Sequence, residues 1–301
     1  MPRAQVNGIE LEYETFGDRG ARPLLLIMGL GAQLLLWEEE FCAELVERGH
    51  YVIRYDNRDV GLSTKLDHAG EPNLLEVMQT VAAGRPVEAA YTLDEMADDA
   101  AGLLDALELD TAHVAGASMG GLIAQTLVLR HADRVRSLIS IMSTTGNPDL
   151  TLPQPDALGA LMQPRVKERE GAIEQAVSLQ RMIGGTAFPL DEERARRMAG
   201  RSYDRSFYPV GIARQIAAVM ASGNRAPMLA SVEAPTLVIH GDADPLVPVE
   251  GGRDTAQAIP GAELLVIEGL GHEMPPPVWP RIIDAICGHT GKAEATQTGS
   301  G

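Results

Sequence analysis

Cysteine is almost missing from this chain: 301 residues hold two, Cys42 and Cys287. Both fall in stretches that read as helical. Two thiols build no disulfide framework, and neither has the neighbours of a metal site, so buried free thiols are expected. Aromatic residues make up only 4%, too few for platforms on which nucleobases stack. Positive charge is in deficit, with 25 Lys and Arg against 42 Asp and Glu and a formal net charge of −17. Nucleic acid and anionic membrane surfaces both reward positive charge, so neither is an expected partner. No apolar run approaches membrane-spanning length. The opening Met1-Pro2-Arg3-Ala4-Gln5-Val6 has no basic stretch followed by an apolar one. It reads as no signal peptide, and a cytoplasmic location is the expectation. No internal repeat is visible.

Apolar residues are plentiful, at 45%. That is enough for one large α/β domain with an elaboration, or for two small domains. Val6-Asn7-Gly8-Ile9 reads as a tight hairpin, because Asn-Gly suits a type I′ turn. Four further runs are strands: Pro23–Met28, Tyr51–Tyr55, Val135–Met142 and Pro235–His240. Unbroken apolar runs such as Pro23–Met28 are typical of strands buried on both faces. Another strand, around His113-Val114-Ala115, and a last one, Glu263–Ile267, bring the sheet to eight with the hairpin pair. Helical patterns cover Leu36–Arg48, Leu93–Leu107, Gly121–Leu129, Arg253–Ile259 and Val278–Cys287. Thr92 with Glu95 three residues on predicts a capping box for the second of these. The alternation predicts a mostly parallel, doubly wound eight-stranded sheet. It stops after the sixth strand, where Ser143 to Leu229 reads as helical, and residues 66–91 are harder to read, with a short helical pattern between Pro72 and Gly84.

The most informative pentapeptide is Gly116-Ala117-Ser118-Met119-Gly120, set between a strand and a helix. A serine at such a turn is forced into a strained conformation, and a Cβ at either flanking glycine would clash with the strand or helix beside it. The hydroxyl then stands above the strand end, over a helix N-terminus that favours developing negative charge. A serine hydroxyl is a weak nucleophile at neutral pH. It needs a base, and the base needs an orienting group. Asp242 and Asp244 follow the strand ending at Ile239, and His272 follows the strand ending at Ile267. All these loops leave carboxyl ends of strands, the edge where open parallel sheets bind ligands.

With these residues the chain resembles the α/β-hydrolases over nearly its whole length. The likeness rests on the elbow, on Gly-Asp-x-Asp-Pro-x-Val-Pro at 241–248, on Gly271-His272, and on Tyr55–Ser63 after the fourth strand. Arg54-Tyr55-Asp56 and the Gly-Ala-Ser-Met-Gly elbow most resemble the aclacinomycin methylesterase group. The resemblance implies Ser118 as nucleophile, His272 as base and Asp244 as acid, with Asp242 the runner-up, better suited to shaping its turn. It implies an oxyanion hole from the backbone N–H groups of Met119 and Leu30, although Met28-Gly29 stands where the family often has His-Gly. His240 is read first in a structural or solvated role and second as a support for the acid loop. The other histidines, His50, His68, His113, His131 and His289, are expected in structural or solvated roles.

The implied domains are a core of residues 1–145 and 229–290, a helical cap of 146–228, and a disordered tail of 291–301. The implied activity is hydrolysis of a carboxylic ester through an acyl-enzyme, with no metal or organic cofactor and a small-molecule ester or lactone as substrate. Lactone hydrolysis and a non-catalytic ligand-binding role are the alternatives. Asp56-Asn57-Arg58-Asp59 is read first as a fixed turn near the site and second as a substrate contact. The methionines Met162, Met182, Met198, Met220 and Met228 are read either as packing or as an adaptable pocket lining. Glu38–Glu40 is read as a solvated helix face near a favourable N-terminus.

Overall fold

A computed structural model describes residues 2–298. Strands β1 (Arg3–Val6) and β2 (Ile9–Phe16) form a hairpin in which Val6 faces Ile9. Asn7 and Gly8 close it at φ 43° and 79°, the paired positive values of a type I′ turn. The chain continues through β3 (Arg22–Ile27), α1 (Glu39–Glu47), β4 (His50–Tyr55), α2 (Leu74–Ala82), α3 (Leu93–Ala106), β5 (Ala112–Ala117), α4 (Met119–Arg130) and β6 (Val135–Ile141). A helical segment follows: α5 (Pro155–Met162), α6 (Arg169–Ile183), α7 (Glu192–Arg205), α8 (Pro209–Ser222) and α9 (Ala226–Leu229). Then come β7 (Thr236–Gly241), α10 (Val249–Ala258), β8 (Glu263–Ile267) and α11 (Trp279–Thr298).

The eight strands lie in the order β1-β2-β4-β3-β5-β6-β7-β8. The pairs β1/β2 and β2/β4 are antiparallel and the rest are parallel. Side chains alternate across a strand, so each central strand feeds two cores. Leu25, Ile27, Ile53, Val114 and Leu138 pack with Leu104 of α3 and Ile123 and Leu127 of α4. Their neighbours Leu24, Leu26, Val52, Ala115 and Ile139 pack on the other face with Phe41 and Leu45 of α1 and Ile282 and Ile286 of α11. This is the doubly wound arrangement the alternation predicts. The capping box forms as expected, with Thr92 N donating to Glu95 Oε2 at 2.7 Å and Asp94 N to Thr92 Oγ1 at 3.2 Å.

Some expectations change. Within 66–91 the short helical pattern forms α2, and Asp67–Ala69 adds a 3-10 turn that the pattern does not predict. Leu34–Leu36 forms a separate 3-10 turn, so α1 starts three residues later than the pattern predicts. Glu38 is not a solvated acid, since it is mostly covered and pairs with Arg194 of α7. The disordered tail expected at 291–301 is corrected over 291–298, because α11 runs on to Thr298. Ala293 is buried, and Glu294 pairs with Arg136 and Arg22 at the amino ends of β6 and β3. Packing against the sheet therefore orders a stretch whose composition reads as a tail. Residues 299–301 of that expectation lie outside the described residues. Among the described residues no helix is long and apolar enough to cross a membrane.

Candidate active site

The carboxyl ends of β5, β7 and β8 bring Ser118, Asp244 and His272 to one edge of the sheet. Ser118 sits between β5 and α4 at φ 56°, ψ −121°. This left-handed backbone is strained for a residue with a Cβ. The surroundings enforce it. A Cβ at Gly116 would lie 2.0 Å from the Gly120 carbonyl oxygen, and one at Gly120 would lie 2.1 Å from that of Ile27. Strand, turn and helix are thus packed backbone to backbone. Ser118 N donates to the Ile141 carbonyl at 2.9 Å, and Ser143 Oγ donates to the Ser118 carbonyl at 2.8 Å. The backbone is held on both sides and the hydroxyl is left half-exposed.

His272 Nε2 lies 2.9 Å from Ser118 Oγ, and His272 Nδ1 lies 2.7 Å from Asp244 Oδ2. An ionised carboxylate only accepts, so Nδ1 carries the proton and Nε2 is free to accept from the serine hydroxyl. Asp244 is buried, and burial by itself would raise its pKa. The facing His272 with its hydrogen bond, the nearby His240 and the Val247 N–H outweigh burial and hold it down to about 2. Its other oxygen accepts from Leu246 N at 2.9 Å and Val247 N at 2.8 Å. His240 stands 3.6 Å from Asp244 and bonds the Val247 carbonyl at 2.8 Å, which places it under the acid loop. Asp242 turns away from His272 and accepts from Gly269 N at 2.6 Å, tying the acid loop to the histidine loop.

The loop after β3 runs against the nucleophile, where a Cβ on Gly29 would lie 3.1 Å from Ser118 Cβ. Neither Leu30 N nor Met119 N donates to a protein acceptor among the described residues. Met119 opens α4, so its amide is one of those no helical carbonyl reaches. The next amide, Gly31 N, donates to Gln215 Oε1 at 2.8 Å, and Gln215 Nε2 donates to the Arg58 carbonyl at 2.9 Å. Asn57 Nδ2 bonds the Met28 carbonyl at 2.9 Å.

All four residues of Asp56-Asn57-Arg58-Asp59 are buried. Asp56 accepts from Leu34 N and Leu62 N, both at 2.8 Å, and from Arg205 Nη1 at 2.6 Å. Arg58 grips Asp99 through two bonds of 2.7 Å. Asp59 grips Arg214 of α8 through two of 2.8 Å. The turn thus holds α7 and α8 on the sheet, in keeping with its reading as a fixed turn. The end of α6 also reaches the site. His272 N donates to the Ile183 carbonyl at 2.8 Å, and Thr186 N and Ala187 N donate to the Gly269 carbonyl at 2.8 and 3.0 Å. Met198 is buried against Leu34 and Leu35, whereas Met182, Met220 and Met228 are exposed. Sequence reasoning missed Arg205, Arg214, Gln215 and the 183–187 strap. Single polar residues within a polar helical segment carry no spacing that would mark them.

The arrangement can supply a nucleophilic hydroxyl, a base beside it and an ionised group behind the base, next to a loop and a helix start whose Leu30 and Met119 amides have no protein acceptor among the described residues. Residues 22–275 match the family model described as alpha/beta hydrolase fold. The chain is 32% identical over 314 residues to rhodomycin D methylesterase DnrP of Streptomyces peucetius, an alignment covering 96% of this chain and 98% of that one. It is also 32% identical over 304 residues to rhodomycin D methylesterase DauP of Streptomyces sp. (strain C5), covering 94% and 95%. Among solved structures, the meta-cleavage product hydrolase CumD of Pseudomonas fluorescens IP01 superposes with a TM-score of 0.74 at 20% identity, covering 97% and 98%. That last likeness is one of fold.

Proposed function

The chain belongs to the alpha/beta hydrolase fold family, and from that premise we propose that it hydrolyses a carboxylic ester through a serine acyl-enzyme. The observation that carries the reading is the continuous relay Ser118 Oγ–His272–Asp244 at 2.9 and 2.7 Å. Ser118 Oγ attacks the ester carbonyl while its proton passes to His272 Nε2. The carbonyl oxygen becomes an oxyanion facing the amides of Leu30 and Met119. The tetrahedral adduct collapses, the C–O bond to the alcohol breaks, and His272 returns the proton to the departing alkoxide. Water then attacks the acyl-enzyme, His272 takes its proton, and the acid leaves as Ser118 is restored. Asp244 remains ionised throughout and steadies the imidazolium.

Two relatives at 32% identity are methylesterases of rhodomycin D. They favour a methyl ester of a small molecule over a lactone as the substrate class here. Residues 146–228 act in this reading as a cap over the triad, shaping the pocket and excluding water. The test is Ser118→Ala. Turnover of a p-nitrophenyl ester should fall by about 10,000-fold or more, with the thermal midpoint kept. A fluorophosphonate probe should label the wild type and leave the variant unlabelled. Turnover near wild type in the variant would refute the assignment, and an unlabelled wild type would favour an inert binding pocket.

A further inference from the structure

We propose that Gln215, on helix α8 outside the sheet, is a positioning residue that sets the oxyanion loop so that the Leu30 N–H faces Ser118. The inference rests on the esterase reading above and deepens it. The loop from Gly29 to Gly31 carries two glycines, and Gly31 sits at φ 65°. Glycine leaves several backbone conformations open at little cost, so the loop's own sequence does not fix which way its amides point. Its surroundings must.

Gln215 is fully buried and both ends of its amide are used. Oε1 takes the Gly31 amide, and Nε2 binds the carbonyl of Arg58, itself locked by Asp99. One planar group thus ties the loop to a rigid turn. Ile212, one helical turn before Gln215, packs where a Cβ on Gly31 would come within 2.8 Å of it. Arg214 is clamped to Asp59, and a Cβ on Gly211 would lie 2.0 Å from the Asp59 carbonyl oxygen. Helix α8 is therefore seated tightly enough to hold the Gln215 amide in place.

The chemical consequence follows from which amide is occupied. Gly31 N is satisfied by Gln215, and Leu30 N has no protein partner among the described residues. If Gln215 lost its polar atoms, the part-buried Gly31 N and the buried Arg58 carbonyl would both lose the partner shown for them. Such groups cost enough to drive a glycine-bearing loop to rearrange. Leu30 N–H would then leave the point where negative charge develops. The ground-state ester makes little use of that donor and the transition state uses it strongly, so the loss belongs in kcat.

The experiment compares Gln215→Met, which keeps the shape and removes both polar ends, with Gln215→Glu, which keeps an acceptor for Gly31 N. Losing a whole oxyanion donor costs about 100- to 1,000-fold. Gln215→Met should therefore lose about 10- to 100-fold in kcat on a p-nitrophenyl ester, with KM within about twofold. Gln215→Glu should lose at least as much, because its second carboxylate oxygen meets the Arg58 carbonyl oxygen in place of a donor and its buried charge opposes the oxyanion. The inhibition constant of an aryl trifluoromethyl ketone, whose serine adduct places an oxyanion in the hole, should rise in parallel with the fall in kcat. A kcat near wild type in Gln215→Met, a loss confined to KM, or unchanged ketone affinity would overturn the assignment. Should Gln215→Met fail to fold, Gln215→Asn decides. Its amide is one methylene too short to bridge Gly31 N and the Arg58 carbonyl, and wild-type kcat there would overturn the proposal equally. Failure of the underlying reading is separately visible as activity surviving Ser118→Ala.

Discussion

The sheet and the helical segment between β6 and β7 are held by different means. Every central strand places apolar side chains into two large clusters. Helices α6 and α7 share only small ones, Ile173, Val177 and Ala195 in one and Met198 with Leu34 and Leu35 in the other. They reach the sheet through directional polar contacts instead: Arg205 to Asp56, Arg194 to Glu38, and backbone bonds from Ile183 and its successors to the His272 loop. Helix α8 uses both means, with Ala218 in the large core and Arg214 on Asp59. Apolar burial is roughly proportional to area and tolerates sliding. A buried ion pair tolerates almost none. The segment that would shape the substrate pocket is therefore attached by contacts that specify position.

The comparison breaks most visibly at Asp59. Arg214 and Asp59 are 2% and 0% exposed, so Asp59→Ala leaves a guanidinium buried without its carboxylate. Removing one partner of such a pair costs about 3–5 kcal/mol, read as a fall in the urea midpoint. The pair itself need not be a net stabiliser, because desolvation offsets most of its attraction. Asp59→Asn with Arg214→Met should therefore regain most of the loss. Asparagine is chosen because Asp59 sits at φ 66°, a conformation Asn tolerates better than most side chains. A double variant as unstable as Asp59→Ala would mean that the charge pair stabilises outright.

How far sequence reads through to structure follows the same division. Strand positions were legible because burial on both faces leaves unbroken apolar runs, and the elbow was legible because its glycines are required by backbone contact. Ser118 and His272 could be named because each follows a strand and carries an unusual local pattern, whereas the choice of Asp244 over Asp242 came from the family resemblance. Gln215 could not, since a polar residue on an amphipathic helix looks the same whether it faces solvent or a loop amide. The last turns of α11 were missed for a related reason. Gly291 to Thr298 is small and polar, and the burial of Ala293 with the ion pairs of Lys292 and Glu294 to strand residues explains its order.

The base of the sheet lies between the two extremes, with buried histidines beside the ion pairs of Arg22 and Arg136 with Glu294. His50 Nδ1 donates to the Leu45 carbonyl (3.1 Å) and His50 Nε2 lies 2.9 Å from Thr290 Oγ1, both in the interior. Burial, aided by the charge of Arg22, pushes its pKa down to about 4. An unfolded histidine titrates near 6.5, so the unfolded chain takes up a proton that the folded one refuses. Stability contributed by neutral His50 is whole above pH 6.5 and is lost as pH falls from there through about 4. His113, pushed down to about 3 by burial and by Arg136, extends the loss to lower pH. Urea midpoints of His50→Gln should be lower than wild type at pH 8 and should decline less steeply between pH 6.5 and pH 4. Parallel declines in the two proteins would show that His50 is not protonated on unfolding.

The smallest effect should come from the best-formed ion pair on the surface of the segment. Arg169 grips Asp204 through two bonds of 2.7 and 2.8 Å, a geometry as good as that of Arg214 on Asp59. The two side chains are 46% and 56% exposed. Water solvates both partners before and after the contact forms, salt screens them, and holding two long side chains together costs rotamer freedom. Asp204 also directly precedes Arg205, so one turn of α7 presents an exposed pair and a buried pair side by side. Arg169→Ala should leave the urea midpoint within experimental reproducibility of wild type, at low salt and at 0.5 M salt alike. A shift comparable to that of Asp59→Ala would mean that pair geometry, rather than burial, decides what holds the helical segment in place, and the contrast with the sheet would lose its physical basis.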